Sequence, residues 1–400
     1  MKKYLGFTIF SALLLALLLA PGPARSTIEF TCPPDTDGID TDGDGNVSND
    51  NICFHMAAGD GWLVMADGSP IYVFGFSDAT GDTVDLVMQK HMYGANGPAP
   101  TIAVREGQHV YVTITNVGMA GRPDLFDPHS IHWHGFANAA PIFDGMPDST
   151  VTIKMGASQP YYYEPVYPGT FMWHCHVEAT EHMQMGMLGS LYVSAIQNFL
   201  PDGTNLNGFI HHTGYKYAFD DGDGSTHFDV EYPLQLGSMD SVFHEAEIRI
   251  QPLPMAWMKA DYFLINGRGY PDTINPNPIA NLFDGNTAQK INSIVTAQKG
   301  QKVLLRISNL SVTDYFTVTV LGIPMRVVGT GAHQLKGPTG LDLSYNTSSI
   351  TLGGGEANDV ILDTTNVPPG TYFLYSTNLN YLSNKDEDNG GMMTEITITP

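Results

Sequence analysis

Cysteine is scarce in this chain, because only Cys32, Cys53 and Cys175 occur among 400 residues. A disulfide-dense scaffold is therefore excluded, and the fold must depend on a hydrophobic core. In an oxidising compartment Cys32 and Cys53 could pair across a loop of about 20 residues. Cys175 would then be unpaired, and metal ligation is one reason for an exported protein to keep such a thiol.

Basic residues are also few. Lys and Arg number 18 against 41 Asp and Glu, so the formal net charge is −23. A field of this sign repels nucleic acid and anionic membranes, and it favours solubility and contact with cations or basic partners. We therefore expect no nucleic-acid partner. The sequence also has no Gly-rich phosphate loop after a strand and no Gly-x-Ser-x-Gly motif.

A long apolar run occurs once, near the N-terminus. Residues 1–26 combine two lysines, an apolar stretch and a small-x-small site, which is the pattern of a secretory signal peptide. The run is short for a bilayer span, which needs about 20 apolar residues, although an uncleaved anchor is the alternative. We expect a protein exported to the periplasm or the extracellular space, with no membrane span after signal cleavage.

The next segment, residues 27–53, is acidic and poor in apolar residues. It contains DTDGDGNVSNDN, in which three aspartates alternate with other residues and a glycine follows, as in a calcium loop. The twelfth position carries Asn rather than a bidentate Glu, so a solvated acidic linker is the alternative. The candidate calcium ligands are Asp40, Asp42, Asp44 and Asn46.

Long helical periodicity is absent from the rest of the chain. Short alternating runs such as HVYVTITN and KVLLRISN are separated by Gly, Pro, Asn and Asp, which predicts an all-β fold of sandwiches or Greek-key barrels. Residues 100–116 match residues 293–309 in pattern, and PGTFMWHCH matches PGTYFLYST. The repeat predicts two β domains of common ancestry, at 54–197 and 198–400.

Histidine and cysteine concentrate in two segments of the first repeat. In HCH (174–176) the histidines share one face of a strand and Cys175 points to the other. In HSIHWHG (129–135) the last two histidines share a face, and His129 lies opposite if the strand is regular. If the strands are neighbours, His129 and Cys175 meet on one face. The other face then gathers His132, His134, His174 and His176.

Further ligands follow Cys175 in the sequence. His182 comes seven residues later and Met187 five residues after that, in a segment that could fold back. Two histidines, a thiolate and a weak axial methionine form a blue copper site. Met185 competes with Met187 for the axial position. The alternative is that each histidine is an ordinary core or surface residue.

The motifs HSIHWHG and HCHVEATEHMQMGM resemble the copper motifs of multicopper oxidases, and the layout is similar to two-domain laccases and copper nitrite reductases. The resemblance implies two cupredoxin-like Greek-key domains and electron flow from a type 1 copper through His-Cys-His to a second copper centre. The family spacing favours Met187 as the axial ligand. The implied ligands are His129, Cys175, His182 and Met187 for type 1, His132 as type 2-like, and His134, His174 and His176 as type 3-like.

The second repeat departs from that family. A trinuclear cluster needs eight histidines, yet the second repeat has no His-x-His, and HCH aligns with Tyr375, Ser376 and Thr377. Five histidines are interpreted as ordinary residues: His211, His212, His227, His244 and His333. Three functions stay open, namely an oxidase or reductase with a second copper centre, a type 1 electron carrier, and a copper-sequestering surface protein.

The sequence does not choose the partners of the redox reaction. The electron donor could be a small phenol, a metal ion or a redox protein, and the acceptor could be dioxygen or nitrite. By analogy with two-domain relatives we expect a homotrimer.

Overall fold

The computed structural model describes residues 32–46, 48–249, 253–281 and 285–400. The predicted signal peptide at residues 1–26 lies outside the described residues. Strands dominate the described part of the chain, so the all-β prediction is confirmed. None of the helices described there is both long and apolar enough to cross a membrane.

Two four-stranded sheets form the first β unit. Their orders are β2–β1–β4–β6 and β3–β8–β7–β5, so the chain changes sheet at each step from β2 to β7, while β1 and β2 share one sheet and β7 and β8 share the other. The inner faces enclose a core in which the buried Trp133 ring stacks on Tyr163, with centroids 4.0 Å apart. The strands are β1 Asn51–Val64, β2 Pro70–Asp78, β3 Ala99–Arg105, β4 His109–Gly118, β5 His132–His134, β6 Ser158–Tyr163, β7 Gly169–His174 and β8 Leu188–Ser194.

The second β unit pairs a seven-stranded sheet with a five-stranded sheet. The first has the order β14–β13–β18–β24–β20–β21, with β22 also on β20, and the second has the order β17–β26–β25–β19–β23. Three two-stranded pairs, β9 with β10, β11 with β12, and β15 with β16, lie outside them. The strands are β9 Asn205–Leu206, β10 Phe209–Ile210, β11 Lys216–Tyr217, β12 His227–Phe228, β13 Val230–Met239, β14 Tyr262–Ile265, β15 Ile279–Ala280, β16 Thr287–Gln289, β17 Val295–Gln298, β18 Lys302–Asn309, β19 Phe316–Val320, β20 Met325–Thr330, β21 His333–Gln334, β22 Tyr345–Thr347, β23 Ser349–Leu352, β24 Glu356–Asp363, β25 Gly370–Ser376 and β26 Met393–Thr399.

Helices are short and peripheral. The α-helices are α1 Val84–Lys90, α2 Ala179–Gln184 and α3 Ser241–Arg249, and 3-10 turns lie at Pro141–Phe143, Ile196–Phe199, Met255–Trp257, Asp272–Ile274 and Leu379–Leu382. Helix α3 belongs in sequence to the second repeat, yet it packs on the first unit. Its buried Phe243 joins the core of the first unit, and His244 Nδ1 lies 2.5 Å from the carbonyl oxygen of Tyr72.

The repeat seen in the sequence has a matching register in the structure. His132 pairs with His174 between β5 and β7, and Tyr375, the residue aligned with His174, pairs with Thr319 between β25 and β19. β1 runs parallel to β4, and β13 runs parallel to β18 in the same way. Strand β1 begins at Asn51, inside the segment predicted as an acidic lead, and Cys53 on this strand forms a disulfide with Cys32.

Candidate metal centre

Three buried side chains converge around Cys175, the residue that directly follows strand β7. Cys175 Sγ lies 3.3 Å from His182 Nδ1 and 3.9 Å from His129 Nδ1. The two imidazole rings are 5.1 Å apart at their centroids, and all three residues are fully buried. The arrangement brings together the three strong ligands that the sequence predicts for one site.

Backbone hydrogen bonds hold these ligands in place. His129 pairs with Ile153 as an isolated bridge, donating from N to O at 3.0 Å and accepting in return at 2.8 Å. His182 lies on α2, which begins after Glu178 in a left-handed conformation with φ of 44°. That turn reverses the chain and brings His182 back over Cys175.

The electrostatic environment suits a soft metal cation. Burial, with repulsion from His182, holds the pKa of His129 well below its usual value, and burial lowers the pKa of His182 to about 4. Both imidazoles are therefore neutral ligands at pH 7. Burial raises the pKa of the Cys175 thiol to about 11, so a bound metal must displace its proton. Neutral imidazoles and a thiol in a dry site fit copper.

The backbone distinguishes the two candidate axial methionines. Met187 donates its N–H to His182 O at 2.9 Å and accepts from Cys175 N at 3.1 Å. Met185 instead donates to Glu181 O and accepts from Phe74 N. Both side chains are fully buried in the core of the first unit. The backbone of Met187 is thus bonded to two of the three converging residues, and its axial role stays a prediction from the family spacing.

The four remaining histidines of the motifs form a second cluster. His132 lies opposite His174 in the β5–β7 register, and their ring centroids are 5.2 Å apart. His176 lies 5.0 Å from His132, and His134 lies 5.6 Å from His174. The structure therefore gathers on one face the four residues that strand parity predicts.

Carbonyl groups orient two of these rings. His132 Nδ1 donates to the backbone oxygen of Asp144 at 2.6 Å, and His174 Nδ1 donates to the oxygen of Cys175 at 2.8 Å. Nε2 is then the nitrogen of each ring available to a metal, a common device in metal sites. His174 Nε2 lies 3.4 Å from His134 Nδ1. Burial lowers the pKa of His174 to about 3, so this imidazole stays neutral.

A cavity of about 450 Å³ opens on this four-histidine face. Its opposite wall comes from the second unit of the same chain, at residues 310–315 and 354–355, and contains no histidine. Gly355 packs against His134, because a Cβ there would lie 2.9 Å from the ring. Asp314 in this wall is already engaged, since its carboxylate accepts from Ser238 Oγ at 2.9 Å.

An acidic cavity beside the first cluster was missed by sequence reasoning. Asp127 and Glu181 place carboxylate oxygens within 4.8 Å of a ring nitrogen of His182. They line a cavity of about 550 Å³ together with Glu178 and Met255. Burial, reinforced by repulsion from Glu247, raises the pKa of Glu181 to about 8. The acids stand two residues before His129 and one before His182, so adjacency to the ligands was the available signal.

Two other sets of predicted residues have separate environments. Asp40, Asp42 and Asp44 bring carboxylate oxygens within 4.8 Å of one another, whereas Asn46 Oδ1 accepts from Ser48. The five histidines interpreted as ordinary residues lie outside every candidate metal cluster among the described residues. Two of them are buried, as His211 Nδ1 contacts Tyr217 Oη at 2.9 Å and His244 contacts Tyr72 O.

Two family models, each described as multicopper oxidase, match residues 80–198 and 242–397. Laccase-2 of Oryza sativa subsp. japonica is 26% identical over 311 residues, which are 74% of this chain and 44% of the relative. L-ascorbate oxidase of Cucurbita pepo var. melopepo is 25% identical over 290 residues, 70% of this chain and 46% of that protein. The chain thus spans about half the length of the curated relatives it matches.

Solved structures agree with the observed fold. The crystal structure of Blue Copper Oxidase from Nitrosomonas europaea matches with a TM-score of 0.61 at 22% identity, covering 86% of this chain and 85% of that one. This likeness confirms the predicted cupredoxin-type fold.

Proposed function

The chain belongs to the multicopper oxidase superfamily, and on this premise we propose that it is a copper-dependent oxidoreductase with two copper centres. The observation that carries the proposal is the position of Cys175 between His174 and His176. The cysteine faces His129 and His182, while its two neighbours face His132 and His134. One tripeptide thus links the two ligand clusters covalently.

Copper at these clusters would supply one-electron redox chemistry. The first cluster, His129, Cys175, His182 and Met187, has the composition of a type 1 site. The tripeptide provides the shortest bonded route toward the four-histidine face, and the hydrogen bond from His174 Nδ1 to Cys175 O reinforces it. The buried first cluster excludes water, and the open cavity at the second admits a small acceptor such as dioxygen or nitrite.

The second centre differs from a trinuclear cluster. Four histidines can hold one or two copper ions, and the wall of the second unit occupies the space opposite them without adding imidazoles. We therefore propose two or three copper ions per chain in total. A type 1 electron carrier would hold one, and a copper-sequestering protein would hold a variable number without a strong colour.

The acidic cavity bears on the electron donor. Asp127 Oδ2 is buried without a hydrogen-bond partner, and Glu181 and Glu178 stand beside it. Asp127 and Glu181 lie next to His182, and Glu178 lines the same cavity. The raised pKa of Glu181 means that a bound cation would displace its proton. This set of carboxyl groups favours a cationic donor, and Met255 offers a soft thioether at the same rim. Among a phenol, a metal ion and a redox protein, the cavity favours a small reduced metal ion.

Export and assembly complete the proposal. The Cys32–Cys53 disulfide is typical of oxidising compartments and supports export to the periplasm or beyond. The homotrimer expected from two-domain relatives stays a prediction. The four-histidine site proposed here is faced by residues 310–315 and 354–355 of the chain's own second unit, and all four of its imidazoles come from one chain.

Copper content is the decisive measurement. The copper-loaded protein should contain two or three ions per chain and show a strong thiolate-to-copper band in the visible spectrum. Cys175→Ser should abolish the band and remove one copper. His132→Ala should leave the band and remove a non-blue paramagnetic signal. A single copper per chain would refute the two-centre proposal in favour of a carrier, and absence of the band would refute the type 1 site.

A matched pair of variants tests the donor site. Asp127→Asn with Glu181→Gln should raise the KM for ferrous or cuprous ion and leave the KM for a neutral phenol unchanged. Asp124→Asn removes a carboxylate that is 66% exposed and paired with Arg122, so it serves as the control. Equal effects on the ion and the phenol would exclude a specific cation site.

A further inference from the structure

A cluster of carboxylates lies far in sequence from the copper ligands, at the base of the first β unit. Asp40, Asp42 and Asp44 bring oxygens within 4.8 Å of one another. Asp50 borders this cluster, because its Oδ2 accepts the backbone N–H of Thr41 at 2.9 Å. Three carboxylates thus cluster in one short loop, and a fourth is bonded to the backbone of the same loop.

The charges of this loop are only partly compensated. Arg105 Nε lies 2.8 Å from Asp42 and its Nη1 lies 2.5 Å from Asp44. One guanidinium among four carboxylates leaves a large excess of negative charge. Asp42 and Asp50 are fully buried, and burial of negative charge is costly unless a cation neutralises it.

Asp50 supplies an independent observation that points to a bound ligand. The residue is fully buried, and its Oδ1 has no hydrogen-bond partner although Oδ2 is bonded to the loop. Asp40 Oδ1 and Asn49 Oδ1 are likewise buried without hydrogen-bond partners. Buried carboxylate and amide oxygens at this density are the ligands that Ca²⁺ takes from proteins, six to eight in number.

We infer that Asp40, Asp42, Asp44 and Asp50, with Asn49, bind one calcium ion. This set differs from the ligands suggested by the sequence in one respect: Asn46 Oδ1 accepts a hydrogen bond from Ser48, and we include Asp50, whose Oδ2 is bonded to Thr41 N. In the calcium-loop pattern of the sequence the twelfth position is Asn51, so that pattern does not mark Asp50 as a ligand. The fold brings it in through the hydrogen bond from Thr41.

The position of the loop indicates what the ion would stabilise. Gly107, at the turn between β3 and β4, allows the loop to approach so closely that a Cβ there would lie 2.1 Å from Thr41 O. Arg105 also stacks over Phe199, which begins the connection to the second unit, at 5.2 Å. Calcium bound in this loop would stabilise the contacts of the acidic lead with the first unit and with the connection between the two units.

Calorimetric titration of the full-length, chelator-treated protein with CaCl₂ tests the inference. We expect one calcium ion per chain with a Kd of about 1 mM or tighter, a higher Tm, and much weaker binding of Mg²⁺. Cys175→Ser should bind calcium as the wild type does, which separates this site from the copper ligands. No binding, or no rise in Tm, would overturn the inference.

Variants locate the ion. Asp50→Asn should weaken calcium binding on the order of tenfold or more, since it removes one charged ligand. If that variant does not fold, Asp40→Asn decides, because an Asn can still accept the hydrogen bond from Gly45 N. Asp37→Asn removes an exposed charge from the same segment and is the control. Equal binding by wild type and the cluster variants would refute the assignment.

Discussion

Thr170 donates its hydroxyl hydrogen to Asp359 across the interface between the two β units, with Oγ1 and Oδ1 2.6 Å apart. The same carboxylate oxygen lies 3.0 Å from Arg306 Nη1, and all three side chains are buried. Thr170 stands on β7, four residues before His174. The strand that carries the copper motif is therefore fastened to the second unit by a buried charged network.

Loss of this network should lower the free energy of unfolding, because it removes buried polar contacts between the two units. Asp359→Ala leaves Arg306 buried with Glu231 as its remaining carboxylate, so we expect a loss of about 3–5 kcal/mol in the free energy of unfolding. Thr170→Val should lower the free energy of unfolding by about 1–3 kcal/mol, because it removes one buried hydrogen bond. Denaturant unfolding of the two variants and of their double variant measures both. Strict additivity in the double variant would contradict a shared network.

The equivalent asparagines of the repeat provide a second prediction. Asn116 Nδ2 donates to Asp127 O and Ile153 O at 2.8 and 2.9 Å, and Asn309 Nδ2 donates to Asp314 O and Leu352 O at 3.2 and 3.0 Å. Replacement of either residue by Ala should cost roughly 2–4 kcal/mol, because two buried carbonyls lose a donor.

Only one of these two changes should affect copper. Asn116 fixes the segment that contains His129, whereas Asn309 fixes the matching turn of the second unit. We expect Asn116→Ala to lower the type 1 copper content and Asn309→Ala to leave it unchanged at equal destabilisation. Similar copper loss in both variants would mean that global stability controls loading.

The axial ligand can be identified by reduction potential. Met187→Leu should raise the potential of the type 1 centre, since loss of a weak thioether ligand disfavours Cu(II). Each tenfold change in the relative stability of the two oxidation states corresponds to about 59 mV. Met185→Leu is the matched control, because it replaces an equally buried methionine. A shift in the control alone would assign the axial role to Met185.

Stability should fall with rising pH because of Glu106, whose pKa is raised from 4.5 to about 8 by burial and by its hydrogen bond and repulsion with Asp220. The folded state holds this proton more tightly than the unfolded state, so the stabilisation is complete below about pH 4.5 and is lost as the pH rises to about 8. In Glu106→Gln the free energy of unfolding should fall by roughly 1–2 kcal/mol less over this pH range than in the wild type, a figure reduced for the partial exposure of Glu106. Unfolding measured from pH 4.5 to 8 checks this, with the exposed Glu164→Gln as control.

The sequence by itself determined which histidines of the two motifs share a face, and it revealed the repeat. Alternation along a strand is a local property of the chain, so His132 and His134 had to share a face, as did His174 and His176. The match between residues 100–116 and 293–309 predicted two β domains of common ancestry, and the structure adds that β4 and β18 each run parallel to another strand, β1 and β13. These inferences needed only spacing and one assumption, that the two motif strands are neighbours.

Tertiary structure decided everything that depends on contacts between distant segments. The wall at residues 310–315 faces the four histidines, Asp359 reaches Thr170, and Asp50 enters the loop of Asp42. Spacing gave no sign of these, because they follow from how the two units and the lead pack together. The local pattern of the chain determines which side chains point to the same face. Packing alone determines what lies opposite them, because contacts between distant segments form when apolar surface is buried and do not depend on the sequence of any one short segment.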